Sequence, residues 1–280
     1  MLLSWSVHFL WALLLKTRPE GVLQPPSHLA EEYARWRWEV VSEYPGASVT
    51  YRLSQDERNG RFLKLSVSDR YPSVEEEAAR LRWAIDHLPV PRVLDQGSDD
   101  GMSWLLTASL SGVDATDSSL MASPSELVPI LASGLRVLHA VPASSCPFDF
   151  ELNRALQHVQ ERVARGLVDA DRDFHPEFAH LQPSTALDLL EAERPRSEDV
   201  VVCHGDYCLP NVIVRDGKAA GFVDLGELGT ADRWWDLAVA TWSVTWNLGP
   251  GYEELFLSEY GVAIDAERMR YYRLLYDMAS

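Results

Sequence analysis

The sequence predicts an α+β fold in which a small antiparallel-sheet lobe is followed by a larger, mainly helical lobe. Short runs of β-branched and aromatic residues separated by turn residues fill the first third of the chain, and helical periodicity dominates from Ser123 onward. The 280 residues, 46% of them hydrophobic and 24% charged, can bury a sizeable core. We expect an extension at residues 1–27, a first lobe at residues 28–110 and a second lobe at residues 111–280.

The first lobe contains predicted strands around one predicted helix. The strands are the runs Ser48–Leu53, Arg61–Val67, Val93–Gln96 and Ser103–Leu106. Ser73 and Glu76 form a capping box, in which each side chain accepts a hydrogen bond from the other residue's backbone N–H. The helix that follows has an apolar stripe of Ala78, Leu81, Ile85 and Leu88.

In the second lobe, the clearest helix is predicted to begin after Ser123, where Pro124 occupies the first turn. Its buried face is formed by Leu127, Leu131, Leu135 and Leu138. A two-residue turn, Asp216-Gly217, lies between two β-rich runs and predicts a hairpin.

Composition excludes several classes of protein. With 25 basic and 42 acidic side chains, the net charge is −17, which argues against nucleic-acid binding and attracts cations. The three cysteines are too few for a disulfide scaffold, so we expect a reducing, cytoplasmic location.

The N-terminal run Met1–Leu15 is strongly apolar, but it is shorter than the roughly 20 residues of a membrane-spanning helix. Lys16 and Arg18 follow this run, whereas a secretory signal carries its charge before the apolar segment. We expect an upstream extension or a short packed helix and no membrane partner; a membrane tether is the alternative.

The residues that point most clearly to a chemical function lie in the stretch VVCHGDYCLPNVIVRDGKAAGFVDLG. His204, Asp206 and Asn211 have the spacing H-x-D-x-x-x-x-N, and Asp224 begins a D-x-G sequence after the hairpin. If strand alternation continues through the hairpin, Asn211 and Asp224 are diagonal neighbours about 7–8 Å apart at Cα. An amide oxygen and a carboxylate suit Mg²⁺, and Asp206 is placed to receive a proton in phosphoryl transfer. We expect His204 to be structural.

The first lobe contains a positively charged side chain of the kind that phosphate binding requires. Alternation places Phe62 and Lys64 on one strand face, where Lys64 can reach phosphates and Phe62 can lie against a base. Glu77 is the natural ion-pair partner of Lys64. The turn at 44–48 can offer backbone N–H groups, including those of Gly46 and Ser48, to phosphates. Taken singly, each of these residues has an ordinary structural role, such as a solvent-exposed side chain or a turn cap. Their occurrence together, in the order Lys, Glu, Asp, Asn, Asp, favours phosphoryl transfer.

On these motifs the chain resembles the aminoglycoside phosphotransferases, most closely the 3'-phosphotransferases. The match runs from about Tyr44 to Tyr276 and includes ARLRWAIDHLPVPRVLD, VVCHGDYCLPNVIV and GFVDLGELGTADRWWDLA. The resemblance implies a protein-kinase-like, two-lobed fold and an enzyme that uses Mg²⁺ and ATP, with GTP not excluded. It implies antibiotic resistance through phosphorylation of a cationic aminoglycoside, by a monomer or a dimer.

The same resemblance assigns roles to individual residues. Asp206 is the implied catalytic aspartate, while Asn211 and Asp224 are the implied Mg²⁺ ligands. The implied nucleotide contacts are Lys64 with its partner Glu77, Phe62, and the hinge from Ala108 to Leu110; Gly46 and Ser48 are predicted from the 44–48 turn alone.

The acceptor side departs from the family pattern. Glu227 stands where relatives usually have arginine, and the following helix offers Trp242, Trp246 and Asn247 instead of charged residues. The chain ends near Tyr276 and Asp277, where relatives often have two acids. The predicted acceptor contacts are Asp173, Glu177, Glu227, Trp242, Trp246, Asn247, Tyr276 and Asp277. We expect narrower acceptor recognition, based on stacking and Asp277.

Three alternatives remain open at this point. The same kinase chemistry can act on streptomycin, a peptide antibiotic or another small hydroxyl compound. A metallophosphatase using His204 and Asp206 needs several more histidine and aspartate ligands than the sequence offers. A nucleotide-binding pseudokinase usually lacks one of the motif residues, and all of them are present here.

Overall fold

The computed structural model describes residues 23–44, 46–55, 60–67, 71–99 and 101–280. The described residues form two compact units: those up to Val113 together with Ala220–Gly226, and Asp114–Ala219 together with Glu227–Ser280. Most of the predicted N-terminal extension, Pro45 of the 44–48 turn, and residues 56–59 lie outside the described part.

Within the described residues, the first unit holds a five-stranded antiparallel sheet of order β1-β2-β3-β5-β4. The strands are β1 (Arg37–Tyr44), β2 (Ser48–Ser54), β3 (Gly60–Val67), β4 (Val93–Asp99) and β5 (Met102–Ala108). The predicted strands are confirmed, but β1 was missed. Its residues are mostly exposed, so the strand lacks the alternation of buried and polar residues that marks the others.

One face of this sheet packs against a short helix, α1 (Ser27–Glu32). Leu29 of α1 contacts a core that includes Leu53, Leu63 and Leu65, all almost fully buried. Because side chains alternate along β3, burial of Leu63 and Leu65 places Lys64 on the opposite face.

Helix α2 (Val74–Ala84) begins with the predicted capping box. Ser73 Oγ accepts from the Glu76 backbone N–H at 3.1 Å, and Glu76 Oε2 accepts from that of Ser73 at 3.0 Å. The predicted apolar stripe is wrong at one position: α2 ends at Ala84, and Ile85 is 42% exposed.

The second unit is mainly helical. After β6 (Val113–Asp114), which spans the unit boundary, come α3 (Ser118–Met121), α4 (Pro124–His139), α5 (Leu152–Ala164), α6 (Ala170–Asp173), α7 (Pro183–Ala192), α8 (Trp234–Leu248), α9 (Glu253–Tyr260) and α10 (Ala266–Ala279). The predicted helix after Ser123 is confirmed as α4, and its four leucines are at most 1% exposed. No helix in the described part of the chain is both long and apolar enough to span a membrane.

Two short β-structures carry the predicted motif. Strand β7 (Val200–Cys203) pairs antiparallel with β10 (Gly229–Asp232). Strands β8 (Val212–Arg215) and β9 (Lys218–Phe222) are sheet neighbours and form the predicted hairpin. Asp216 and Gly217 have φ values of 53° and 69°, as a type I' turn requires.

Candidate active site

The loop between β7 and a 3₁₀ turn (Leu209–Asn211) presents Asp206. The Asn211 amide Nδ2 donates to the Asp206 backbone oxygen at 3.0 Å and to its Oδ2 at 2.9 Å. The Tyr276 hydroxyl of α10 donates to the other carboxylate oxygen, Oδ1, at 3.1 Å. Each oxygen of the Asp206 carboxylate therefore accepts a side-chain hydrogen bond, which fixes the plane of the group.

Asp236, on α8, forms hydrogen bonds to the backbone of this loop. It is fully buried, and its carboxylate accepts from the backbone N–H groups of His204 at 2.7 Å and Gly205 at 2.9 Å. His139 Nε2 lies 3.0 Å from the same carboxylate. Asp236 is not among the residues predicted from the sequence; the available signal was a single acid within an otherwise uncharged helix.

Gly205 is required at its position. Its φ is 91°, a region that favours glycine, and a Cβ there would lie 2.4 Å from the Cβ of Glu227. Trp235 Nε1 donates to the Gly205 oxygen at 2.8 Å. The predicted structural role of His204 is confirmed: it is fully buried, and its Nδ1 accepts from the Asp206 N–H at 3.3 Å.

We expect Asp236→Asn to destabilise the protein and lower its turnover. The amide has one acceptor oxygen, so a buried N–H of the loop loses its partner, at a cost of about 1–3 kcal/mol in the free energy of unfolding. Urea denaturation measures this loss, and Asp188→Asn, at an exposed position on α7, is the matched control. Equal stability of the two variants would contradict the role given to Asp236.

In the first unit, Lys64 forms the predicted ion pair with Glu77. Its Nζ donates to Glu77 Oε2 at 2.7 Å and also to Asp224 Oδ1 at 2.9 Å, and the second contact is not predicted from the sequence. Burial disfavours the charged ammonium, but the Asp224 and Glu77 carboxylates outweigh it and raise the pKa of Lys64. Burial raises the pKa of Glu77, and Lys64 opposes that effect. Lys64 is therefore a fixed cation.

Asp224 reaches Lys64 through an irregular backbone. Strand β9 ends at Phe222, and Asp224 has a positive φ of 58°, so the alternation used to place it beside Asn211 does not extend that far. That derivation was wrong, because the chain leaves the strand before Asp224. Gly226 is tightly packed: a Cβ there would lie 2.6 Å from Pro72 Cγ.

Taken one at a time, the side chains of Asn211 and Asp224 offer the kind of oxygen that a magnesium ion prefers. The Asn211 Nδ2 is committed to Asp206, so the amide presents its oxygen as the ligand atom. The Asp224 carboxylate is half-exposed. Amide and carboxylate oxygens are the hard ligands that Mg²⁺ prefers. Asn211 belongs to the second unit and Asp224 to the first, and a shared ion stays a prediction.

The other predicted nucleotide residues all lie in the first unit. Phe62 shares the β3 face of Lys64 and is half-buried. Ser48 starts β2, and Gly46 has a φ of 71°. Ala108 ends β5 and donates its N–H to the Arg92 oxygen, and Leu110 packs near Gly221. Their contact with a nucleotide stays a prediction.

The predicted acceptor residues of α8 form an aromatic stack with His175. The His175 ring lies 3.6 Å from that of Trp242 and 4.5 Å from that of Trp246, centroid to centroid. Trp242 is 7% exposed, whereas Trp246 is 37% exposed. Asp277 accepts from the backbone N–H of His175 at 2.9 Å and contacts its Nδ1. Asp277 therefore has an internal partner where the sequence predicted an acceptor contact.

The remaining predicted acceptor residues differ in accessibility. Asp173 is buried and accepts from Arg172 Nε and the Asp169 N–H, both at 2.8 Å. Glu177 is 42% exposed and lies 3.8 Å from Arg273 Nη1. Asn247 donates to the Ser243 oxygen at 2.8 Å, and Glu227 packs against Gly205. Their role toward an acceptor stays a prediction.

Comparisons with known proteins identify the family of this chain. A model described as the phosphotransferase enzyme family matches residues 41–272. An aminoglycoside 3'-phosphotransferase of Streptomyces fradiae is 35% identical over 262 residues, which are 89% of this chain and 97% of that protein. A type VIII aminoglycoside 3'-phosphotransferase of known crystal structure is 32% identical in sequence, with a TM-score of 0.81. The match covers 90% of this chain and 96% of that chain.

A Streptomyces rimosus aminoglycoside phosphotransferase, solved in complex with ADP and streptomycin, is 31% identical in sequence, with a TM-score of 0.72. The match covers 91% of this chain and 98% of that chain. These likenesses confirm the resemblance and the fold class predicted from the sequence. Because the family model matches most of the chain and the motif residues are all present, the chain belongs to the phosphotransferase enzyme family.

Proposed function

We propose that this protein transfers the γ-phosphoryl group of ATP to a hydroxyl of an aminoglycoside antibiotic, and thereby confers resistance. The observation that carries the proposal is the Asp206 carboxylate, held by Asn211 on a loop that Asp236 fixes. Such a carboxylate can orient an attacking hydroxyl and accept its proton. We also propose that the protein is located in the cytoplasm, where ATP is supplied.

The chain's own residues divide the work of phosphoryl transfer. Lys64, kept charged by Glu77 and Asp224, would bind phosphate oxygens. Asn211 and Asp224 would hold Mg²⁺, which neutralises charge on the phosphates when bound. Asp206 would accept the proton of the acceptor hydroxyl. Phe62 and the backbone near Ala108 would contact the base.

Charge and exposed aromatic surface favour a cationic acceptor. The net charge of −17 attracts polycations but does not fix their orientation. Asp277 and Asp173 are engaged inside the protein, whereas Glu177 and Trp246 are accessible. We therefore propose that Trp246 and Glu177 contact the acceptor directly. The relatives named for aminoglycosides support that chemical class.

Streptomycin is the second candidate acceptor. The Streptomyces rimosus relative was solved with ADP and streptomycin, and its coverage of this chain is as complete as that of the 3'-phosphotransferase structure. Streptomycin carries guanidinium groups, which stack on aromatic rings such as that of Trp246.

The test is a transfer assay on the purified full chain. The protein is incubated with Mg²⁺, with ATP or GTP, and with kanamycin, neomycin, streptomycin or a non-aminoglycoside. The mass of each antibiotic is then measured by mass spectrometry. A gain of one phosphoryl mass that disappears in Asp206→Asn supports the proposal. Nucleotide binding without transfer to any acceptor would favour a pseudokinase and contradict it.

Trp246→Ala is expected to weaken acceptor binding selectively. Loss of a cation–π contact of about 0.5–2 kcal/mol corresponds to a rise in acceptor KM of about 2- to 30-fold. The KM for ATP should stay unchanged, and thermal stability should fall modestly, because Trp246 is partly exposed but stacks on His175. Steady-state kinetics with each antibiotic measures this. An equal rise in both KM values would indicate a general structural effect and contradict the proposed contact.

A further inference from the structure

The Tyr276 hydroxyl lies at the proposed catalytic carboxylate. It is 3.1 Å from Asp206 Oδ1, although the two residues are 70 positions apart in the chain. From the sequence, Tyr276 is predicted to offer an aromatic face to the acceptor. The structure instead directs its polar atom at Asp206.

The hydroxyl is a hydrogen-bond donor in this contact. Burial raises the pKa of Tyr276 well above its usual value, and the negative charge of Asp206 adds to that effect. The phenol therefore keeps its proton and gives the hydrogen bond to the carboxylate. Hydrogen bonds to a charged acceptor are among the stronger ones in proteins.

The helix that carries Tyr276 is firmly anchored. On α10, Leu275 and Met278 are fully buried, and the next residue, Asp277, accepts the backbone N–H of His175. The Tyr271 hydroxyl donates to the Leu190 oxygen at 3.1 Å. A phenol on such a support can hold the carboxylate in one orientation.

We propose that Tyr276 is a positioning residue for phosphoryl transfer, whose hydroxyl fixes Asp206 Oδ1 while the Asn211 amide fixes Oδ2. The inference rests on the proposed function of Asp206. With both oxygens held, the carboxylate cannot rotate away from the hydroxyl that it must orient. Misplacement of a reacting group by about 1 Å can cost about 10²-fold in rate.

Tyr276→Phe separates the two possible roles of this side chain. Phenylalanine keeps the aromatic face and removes only the hydroxyl. If Tyr276 positions Asp206, kcat falls by about 10-fold or more, and the KM values for ATP and acceptor stay within about two-fold, since no substrate contact is lost. If the ring stacks on the acceptor, phenylalanine retains full activity.

Tyr271→Phe is the matched control, because it removes a buried tyrosine hydroxyl from the same helix without touching Asp206. It should lower stability and leave kcat unchanged. A kcat of Tyr276→Phe equal to that of the unmodified protein, or equal losses of kcat in both variants, would overturn the inference. Absence of transfer by the unmodified protein would instead overturn the proposed function, and the inference with it.

A second readout does not depend on turnover. In protein labelled with ¹³Cζ-tyrosine, the Tyr276 resonance is identified by its loss in Tyr276→Phe. We expect Asp206→Ala to shift this resonance and Asp216→Ala, at the exposed hairpin turn, to leave it unchanged. A Tyr276 resonance that is unaffected by Asp206→Ala would also overturn the inference.

Discussion

Asp206→Asn is expected to lower kcat by about 10²–10⁴-fold, the usual contribution of a general base. Asparagine keeps the shape of the side chain and an oxygen that can accept from Tyr276, but its amide nitrogen cannot accept from Asn211 and it cannot take up a proton. Nucleotide binding should be retained, because the proposed phosphate contact is made by Lys64. Steady-state kinetics and calorimetric titration with ATP measure the two effects separately.

Asp216→Asn provides the control for this experiment. Asp216 is 90% exposed at the hairpin turn, and asparagine tolerates its positive φ of 53°. This variant should behave like the unmodified protein. Near-normal turnover of Asp206→Asn would remove Asp206 from the chemistry, and loss of ATP binding in that variant would show that the substitution disturbs more than proton transfer.

Asp224→Asn is expected to lower kcat/KM for ATP by about 10²–10³-fold, the range seen when one group that stabilises transition-state charge is removed. The substitution removes a negative charge 2.9 Å from the Lys64 ammonium and weakens the proposed Mg²⁺ ligand. The Mg²⁺ concentration that gives half-maximal activity should therefore rise. A magnesium titration at fixed ATP measures that change.

The control is Asp86→Asn, at an exposed position just after α2. It removes the same charge from the first unit without touching Lys64. ATP affinity and Mg²⁺ dependence that are both unchanged in Asp224→Asn would contradict the metal role of Asp224. A loss of ATP affinity with unchanged Mg²⁺ dependence would assign Asp224 to orienting Lys64 alone.

Local sequence patterns determined the fold class and the loop that carries Asp206. The capping box at Ser73, the leucine periodicity of α4 and the Asp216-Gly217 turn each depend on residues within a few positions, so the sequence alone predicted them. The H-x-D-x-x-x-x-N spacing is equally local. Strand β1 was missed because its exposed side chains show no clear alternation.

Only the tertiary structure decided which groups meet at these residues. Tyr276 reaches Asp206 across 70 positions, Asp277 reaches His175 across 102, and Asp236 caps loop N–H groups 31 and 32 positions away. No periodicity encodes such contacts, because they depend on how helices and loops pack after each has formed. Strand β9 likewise ends at Phe222 and Asp224 has a positive φ, so the strand alternation on which the predicted neighbour relation with Asn211 depended does not reach Asp224.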